Sequence, residues 1–275
     1  MINDLMEPFS YHYMVTAIWM STLIGCVCGL LSAYLILKGW SSLGNGISHA
    51  IFPGVLFSYL WAIPFSISTI IAGILATGMM VRLKEKTKLK ENVAVSIVYL
   101  SFYSFAMFVL SLMPPAIYVQ NIFIGNVLSI SQSDILQVLI ISFYILVVMW
   151  IKWKDFALLF FDEEYAHSIG INVKFLKILF FTLLTASIVI GFQTSGILLV
   201  IATIIIPGAT AKLLSKSFGT YLILSTVIGA ISGFLGSYIS YFLDCSPGGI
   251  IVLLQSFAFL LSIFCFSKQR IMLTV

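Results

Sequence analysis

Charge is what this sequence has least of. Only 9% of its 275 residues are Asp, Glu, Lys or Arg, and 61% are hydrophobic; soluble domains carry about 25% charged residues. That scarcity excludes a soluble domain and points to an integral membrane protein. Short alternating apolar segments are also missing, which excludes a transmembrane barrel. No Lys or Arg precedes Lys38, so the positive start of a secretory signal is absent and the first helix is expected to stay in the mature protein. The four cysteines, Cys26, Cys28, Cys245 and Cys265, form neither C-x-x-C pairs nor a zinc spacing and read as small hydrophobes. There is no G-x-x-x-x-G-K-[ST] to cradle a phosphate, and neither H-E-x-x-H nor G-x-S-x-G to hydrolyse a peptide or ester. An enzyme reading therefore has little support. The formal charge of +4 is better assigned to cytoplasmic loops than to a nucleic-acid partner, and no nucleic acid is expected.

What the chain does have is long apolar runs of the roughly 20 residues that span a bilayer as helices. The expected fold is all-α, a polytopic membrane helical bundle forming a single transmembrane domain over 1–275. About nine spans are expected, at 14–37, 47–63, 65–83, 93–112, 133–151, 174–193, 196–214, 219–242 and 249–267. Placing the N-terminus outside puts all 14 Lys and Arg on the cytoplasmic side, with the C-terminus, and this bias sets orientation. The uncharged connection from Pro114 to Ser133 then reads as an outer-face loop with a short interfacial or re-entrant helix that helps close an outer gate. Gly25 and Gly29, and again Gly229 and Gly233, form G-x-x-x-G pairs that let helix backbones approach closely. Pro207-Gly208 and Ser246-Pro247-Gly248-Gly249 read as turn or helix-break chemistry.

Of three histidines, His12, His49 and His167, only His49 falls inside a span. An ionisable group at membrane depth is costly and usually faces a bundle interior or an aqueous path. In a helix, Asn45 shares its face four residues earlier, and Pro53-Gly54 end or kink the helix just beyond. One face thus offers an oxygen and a nitrogen ligand. On the residues alone, a helix–helix hydrogen bond and a role in transport remain equal readings of His49.

A second polar stretch, Phe160 to Ile171, leaves the bilayer yet repeats Phe161, Tyr165, Ala166 and Ile169 at helical spacing. Asp162, Glu163 and Glu164 suit the first turn of a helix and Gly170 its end. The expected element is a short amphipathic helix on the cytoplasmic face, a docking surface for a soluble partner; the alternative is a solvated loop.

The run Gly44-Asn45-Gly46-Ile47-Ser48-His49-Ala50-Ile51-Phe52-Pro53-Gly54 closely resembles the G-D-A-[IL]-S-H-A-x-L-P-G signature of the permeases of ATP-binding-cassette importers for manganese, zinc and iron. The resemblance continues in Lys90-Glu91-Asn92 with Ala94, in Ile124 to Leu128, in Gly196 to Val200 followed by Ile205 to Ala211, and in Asp244 to Gly248. Together these cover about 30–265. The resemblance implies a bacterial cytoplasmic (inner) membrane protein, embedded in lipid, that dimerises with a second permease chain, the same or a paralogue. Its metal would come from an extracytoplasmic metal-binding protein, and its drive from two cytoplasmic ATPase subunits. No cofactor is expected to be bound permanently; the divalent metal ion is cargo, and ATP sits on the partner. By the same resemblance His49 is the metal-path histidine, and Asp162, Glu163, Glu164, Ala166 and Gly170 belong to the coupling helix that meets the ATPase.

Asn45 departs from the family, which usually has Asp there. A carboxylate supplies negative charge to a cation leaving water and an amide cannot; either a paralogous partner contributes the carboxylate or the site is a weaker waypoint. One nitrogen and one oxygen ligand do not select among the three metals. Because neutral imidazole is the ligating form, uptake is expected to weaken as pH falls below about 6.5. Two alternatives stand beside this reading. An ion-gradient transporter would use His49 or Asp244 as a proton relay, and a scaffold without substrate would be indifferent to His49.

Overall fold

A computed structural model describes residues 6–61, 63–87, 89–112 and 132–273. The expected outer-face loop up to residue 131, with its Ile124–Leu128 motif, lies outside these residues. Among the described residues every regular element is helical. A single 3₁₀ turn at Glu7–Ser10 leads into α1 (His12–Lys38), α2 (Ser41–Ala50), α3 (Phe52–Trp61), α4 (Phe65–Thr87), α5 (Glu91–Ser111) and α6 (Gln132–Phe161). Then follow α7 (Glu163–Ser168), α8 (Val173–Ser195), α9 (Ile197–Leu214), α10 (Phe218–Leu243) and α11 (Pro247–Leu273).

Seven of these, α1, α4, α5, α6, α8, α10 and α11, contain a stretch long and apolar enough to cross a membrane. Of the other two expected spans, one is broken and the other is short. The second, 47–63, is the helix pair α2 and α3, which begins earlier, at Ser41, and breaks at Ile51. The seventh, 196–214, is α9, which runs 18 residues with Pro207 inside it. α6 continues past the expected end at 151 to Phe161, carrying a Lys152–Asp155 pair at 2.8 Å on the extension.

Between lipid-facing helices the hydrophobic effect gives no drive to associate, because acyl chains are as apolar as leucine; close packing and interhelical hydrogen bonds do the work instead. The α1–α10 crossing shows both. The two G-x-x-x-G pairs interlock with each other: a Cβ on Gly25 would enter the Gly229 carbonyl, one on Gly229 would enter the Gly25 carbonyl, and one on Gly29 would stand 2.6 Å from the Ser225 carbonyl oxygen. Ser225 Oγ donates to the Gly29 carbonyl at 2.5 Å and Tyr221 Oη to the Ala33 carbonyl at 2.8 Å. Gln255 of α11, fully buried, donates to Ser232 Oγ at 2.9 Å and Thr203 Oγ1 at 3.3 Å, tying α9, α10 and α11 together.

α1 and α8 are the inner helices, with 67% and 72% of their most apolar windows buried, against 22% for α5 and α6. At one end of the bundle Tyr34 of α1 packs among Phe156 and Phe160 of α6, Phe180 of α8 and Phe218 of α10. The lysines of this end, Lys38, Lys84 and Lys177, share a cavity. Gly39, at φ 75°, closes α1 there and swings the chain into Trp40, which stacks on Phe181 at 5.3 Å. Only glycine takes that left-handed conformation without strain. At the opposite end Asp244 takes the left-handed cap of α10, at φ 49° and ψ 43°, and Pro247 begins α11. The Asp244 to Gly248 motif is therefore turn chemistry, which suits an aspartate in this conformation.

Candidate functional site

The eleven residues Gly44 to Gly54 divide into two stripes once folded. Gly44, Gly46, Ser48, Ala50 and Gly54 are buried, while Asn45 and His49 are half-buried. The glycines are fixed by contact. A Cβ at Gly44 would stand 2.8 Å from Ile204 of α9, one at Gly46 would run into Val95 of α5, and one at Gly54 would lie 2.7 Å from the backbone of Ser68 and Thr69 in α4. Ser48 turns its hydroxyl onto the Gly44 carbonyl at 2.9 Å, so its polarity is spent inside the helix. Helices α4, α5 and α9 grip α2 and α3 along this stripe and leave the other half-buried.

On the open stripe Asn45 and His49 stand one turn apart, as their spacing requires. The imidazole lies among aromatic rings, 5.7 Å from Tyr99, 6.3 Å from Tyr103 and 6.4 Å from Phe52. Among the described residues no hydrogen bond reaches either ring nitrogen of His49 or the amide of Asn45. The helix–helix hydrogen bond that was one reading of His49 is thus not made among the described residues. Both side chains retain their donor and acceptor atoms. Sequence reasoning singled out neither tyrosine: their i, i+4 spacing on α5 was the available signal, but aromatic pairs at that spacing are common in any span.

The backbone breaks here for a stated reason. Ile51 N–H still bonds the Ile47 carbonyl at 3.1 Å and Val55 N–H the Ile51 carbonyl at 3.2 Å. Pro53 has no N–H, so the His49 carbonyl loses its helical donor and α2 gives way to α3. α9, packed on α2, carries a proline too, Pro207, but stays one continuous helix through it; there the Gly208 N–H donates to Ser32 Oγ of α1 at 2.9 Å, an interhelical bond beside the proline.

The expected amphipathic helix is present as α7. Asp162 caps it, accepting from Tyr165 N–H at 3.0 Å. Glu163 pairs with Lys177 of α8 at 2.5 Å, and Glu164 is exposed. Ala166 is fully buried beneath the helix, and Gly170, at φ 86°, ends it with Ile171 N–H returning to the Ala166 carbonyl at 3.1 Å. Phe161, Tyr165 and Ile169 are 61%, 54% and 49% exposed; Phe161 meets Phe218 of α10 edge-on at 5.2 Å, and Tyr165 and Ile169 are the apolar side chains presented outward. A cavity of ≈ 320 Å³ lined by Lys38, Trp40, Leu43, Lys84, Glu163 and Lys177 connects α7 to the start of α2.

Membrane-length helices around a broken, histidine-bearing helix pair, with a short capped helix presenting an apolar face at the lysine-rich end, define a transport permease. The family model described as ABC 3 transport family matches residues 10–266, and the chain belongs to that family. It is 45% identical to the "Probable iron transport system membrane protein" of Haemophilus influenzae, over all of this chain and 97% of that one. It is 38% identical to the "Manganese transport system membrane protein MntB" of Synechocystis, over 98% of this chain and 88% of that one. The solved structure "PsaBC from Streptococcus pneumoniae in complex with Fab" superposes with a TM-score of 0.87 at 31% identity, covering 98% of both chains.

Proposed function

We propose that the chain is the membrane-spanning permease of an ATP-binding-cassette importer that passes a divalent metal ion, manganese, iron or zinc, beside His49 and Asn45 into the bacterial cytoplasm. The observation that carries this reading is the division of the Gly44 to Gly54 helix pair into a packed stripe and an open one, with His49 and Asn45 on the open side and their ligating atoms uncommitted. The names of its relatives support iron and manganese. A neutral imidazole with amide oxygen accommodates zinc as well.

The N-terminus stands outside and the lysine-rich end faces the cytoplasm, the α2 and α3 pair and α9 bringing the seven membrane-length helices to nine spans. The exposed apolar face of α7 receives a cytoplasmic ATPase subunit. ATP binding and hydrolysis there move α7, and the movement reaches α2 through the Glu163–Lys177 pair and the Trp40-lined cavity, switching the side to which His49 opens. An extracytoplasmic metal-binding protein delivers the ion at the opposite end. Asn45 puts an amide where a carboxylate is usual, which favours pairing with a paralogous permease that supplies the missing charge; a purified, transporting complex containing a single permease species would remove that account. Asp244, the proton relay of the ion-gradient alternative, is an exposed helix cap at the end of α10 instead.

The decisive experiment is accumulation of manganese, iron and zinc isotopes in cells carrying His49→Ala against the wild type. Loss of uptake of one metal is expected. Unchanged uptake of all three would overturn the reading.

A further inference from the structure

A tyrosine hydroxyl deep in an apolar bundle needs a partner, because a phenol set in hydrocarbon without one carries the full cost of its lost water. Tyr34 and Tyr221 obey this rule. Tyr34 Oη donates to the Trp153 carbonyl at 3.4 Å and Tyr221 Oη to the Ala33 carbonyl at 2.8 Å. Tyr99 and Tyr103 of α5 do not: among the described residues neither hydroxyl makes a hydrogen bond.

Neither phenol can escape to the membrane surface. α5 runs from Glu91 to Ser111, and Tyr99 stands eight residues after its start and Tyr103 eight before its end. At the helical rise each is about 12 Å from the nearer end, farther than a phenol reaches. Both side chains are half-buried, and what they face is α2. The Tyr99 ring lies over the backbone of Gly46, where an added Cβ would stand 3.7 Å from its Cδ1, and its centroid is 5.7 Å from the His49 imidazole. Tyr99 therefore reaches along the turn from Gly46 to His49. Tyr103 meets the same imidazole at nearly a right angle, 6.3 Å away, and Phe52 at 5.3 Å. One seam between α2 and α5 thus carries an amide, an imidazole and two phenols, none hydrogen-bonded through its side chain among the described residues. Rings that only packed would be served at lower cost by phenylalanine. Polar groups left without partners at this depth mark a place that water or a hydrated ion visits.

We propose that Tyr99 and Tyr103 belong to the metal path, their neutral phenol oxygens accepting hydrogen bonds from the water that the ion keeps as it passes His49 and Asn45. The proposal rests on the metal path proposed above. One nitrogen and one oxygen ligand leave most positions of an octahedral ion such as manganese to water. Water bound to a cation is a stronger donor than free water, because the metal acidifies it, and a phenol oxygen has lone pairs to receive it. The hydroxyls thereby replace part of the outer hydration that the ion loses on leaving bulk solvent.

The test uses the assembled importer in proteoliposomes at saturating delivery protein, with isotopes of manganese and iron as the transported ions. Tyr99→Phe and Tyr103→Phe keep the rings and remove the oxygens. Each should lower the maximal transport rate about fivefold, the scale of one net hydrogen bond, and the double variant roughly twentyfold, as separate contacts add. The thermal midpoint of the solubilised complex should stay level or rise slightly, since no bond within the protein is lost. Phenylalanine variants that transport at the wild-type rate would overturn the proposal and leave the rings as packing. Variants that melt earlier than wild type would overturn it too, by showing that the hydroxyls are bonded within the protein. His49→Ala in the same vesicles separates this inference from the reading beneath it. Transport lost in His49→Ala but intact in the phenylalanine variants removes the tyrosines alone; transport intact in His49→Ala removes the metal path itself.

Discussion

Asn45 is where one atom's chemistry should be most visible. It shares the open stripe with His49, makes no hydrogen bond among the described residues, and differs from a carboxylate by an amide in place of one oxygen. Asn45→Asp adds a full charge one helical turn from the imidazole. Against a divalent ion this should tighten binding about tenfold and slow release by a similar factor. Initial rates of manganese uptake across a concentration series read the two effects separately, as a fall in KM together with a fall in kcat. Asn45→Leu, similar in size but without a ligating oxygen, should raise KM instead. If both variants match the wild type, Asn45 lies off the path and the open stripe belongs to His49 alone.

Among elements, α1 and α10 are joined through backbone, and backbone cannot move aside as a side chain can. Gly229→Ala puts a methyl into the Gly25 carbonyl and should cost about 1–3 kcal/mol, read as a lower thermal midpoint of the detergent-solubilised protein. Gly219→Ala in the same helix meets nothing within 4 Å and should be neutral or slightly stabilising, which separates packing from a general effect of alanine. α7 makes the opposite prediction. Tyr165 is 54% exposed and its ring supports nothing in the bundle, so Tyr165→Asp should leave the fold intact. If the apolar face of α7 docks the ATPase, this variant should lose most ATPase co-purification and metal-stimulated hydrolysis. Retention of both would place the docking surface elsewhere.

For the molecule as a whole, the parts legible in sequence were those written in local chemistry. The two G-x-x-x-G pairs announced close approach because small residues four apart make a groove on one helix; that the two grooves fill each other is a long-range fact with no local trace. α7 was legible from its run of three acids and its terminal glycine, although Asp162, read as part of the first turn, is its N-cap. The helix pair α2 and α3 was misjudged in extent, since Gly44 and Gly46 weaken a helix intrinsically and only packing on α5 and α9 shows why helix persists from Ser41. Likewise Tyr99 and Tyr103 lie on a different helix from His49 and meet it only in the fold. The elements that depart from a plain span, the broken pair α2 with α3 and the proline-bearing α9, carry the most distinctive motifs. Departure from a regular span was therefore itself a signal.

Orientation is the remaining property of the whole chain that one measurement can decide. Lysine bias and the contacts that gather Lys38, Lys84, Lys177 and α7 at one end agree on which residues share a side. Cys245, exposed beyond α10, lies at the other end, whereas Cys28 is buried and Cys26 half-buried within α1. In a Cys265→Ser background, a membrane-impermeant maleimide should label Cys245 in intact spheroplasts. The same reagent should reach His167→Cys, exposed on α7, only after the membrane is opened. The reversed pattern would put α7 outside, away from any cytoplasmic ATPase, and would undo the coupling path from α7 to α2 while leaving the fold unchanged.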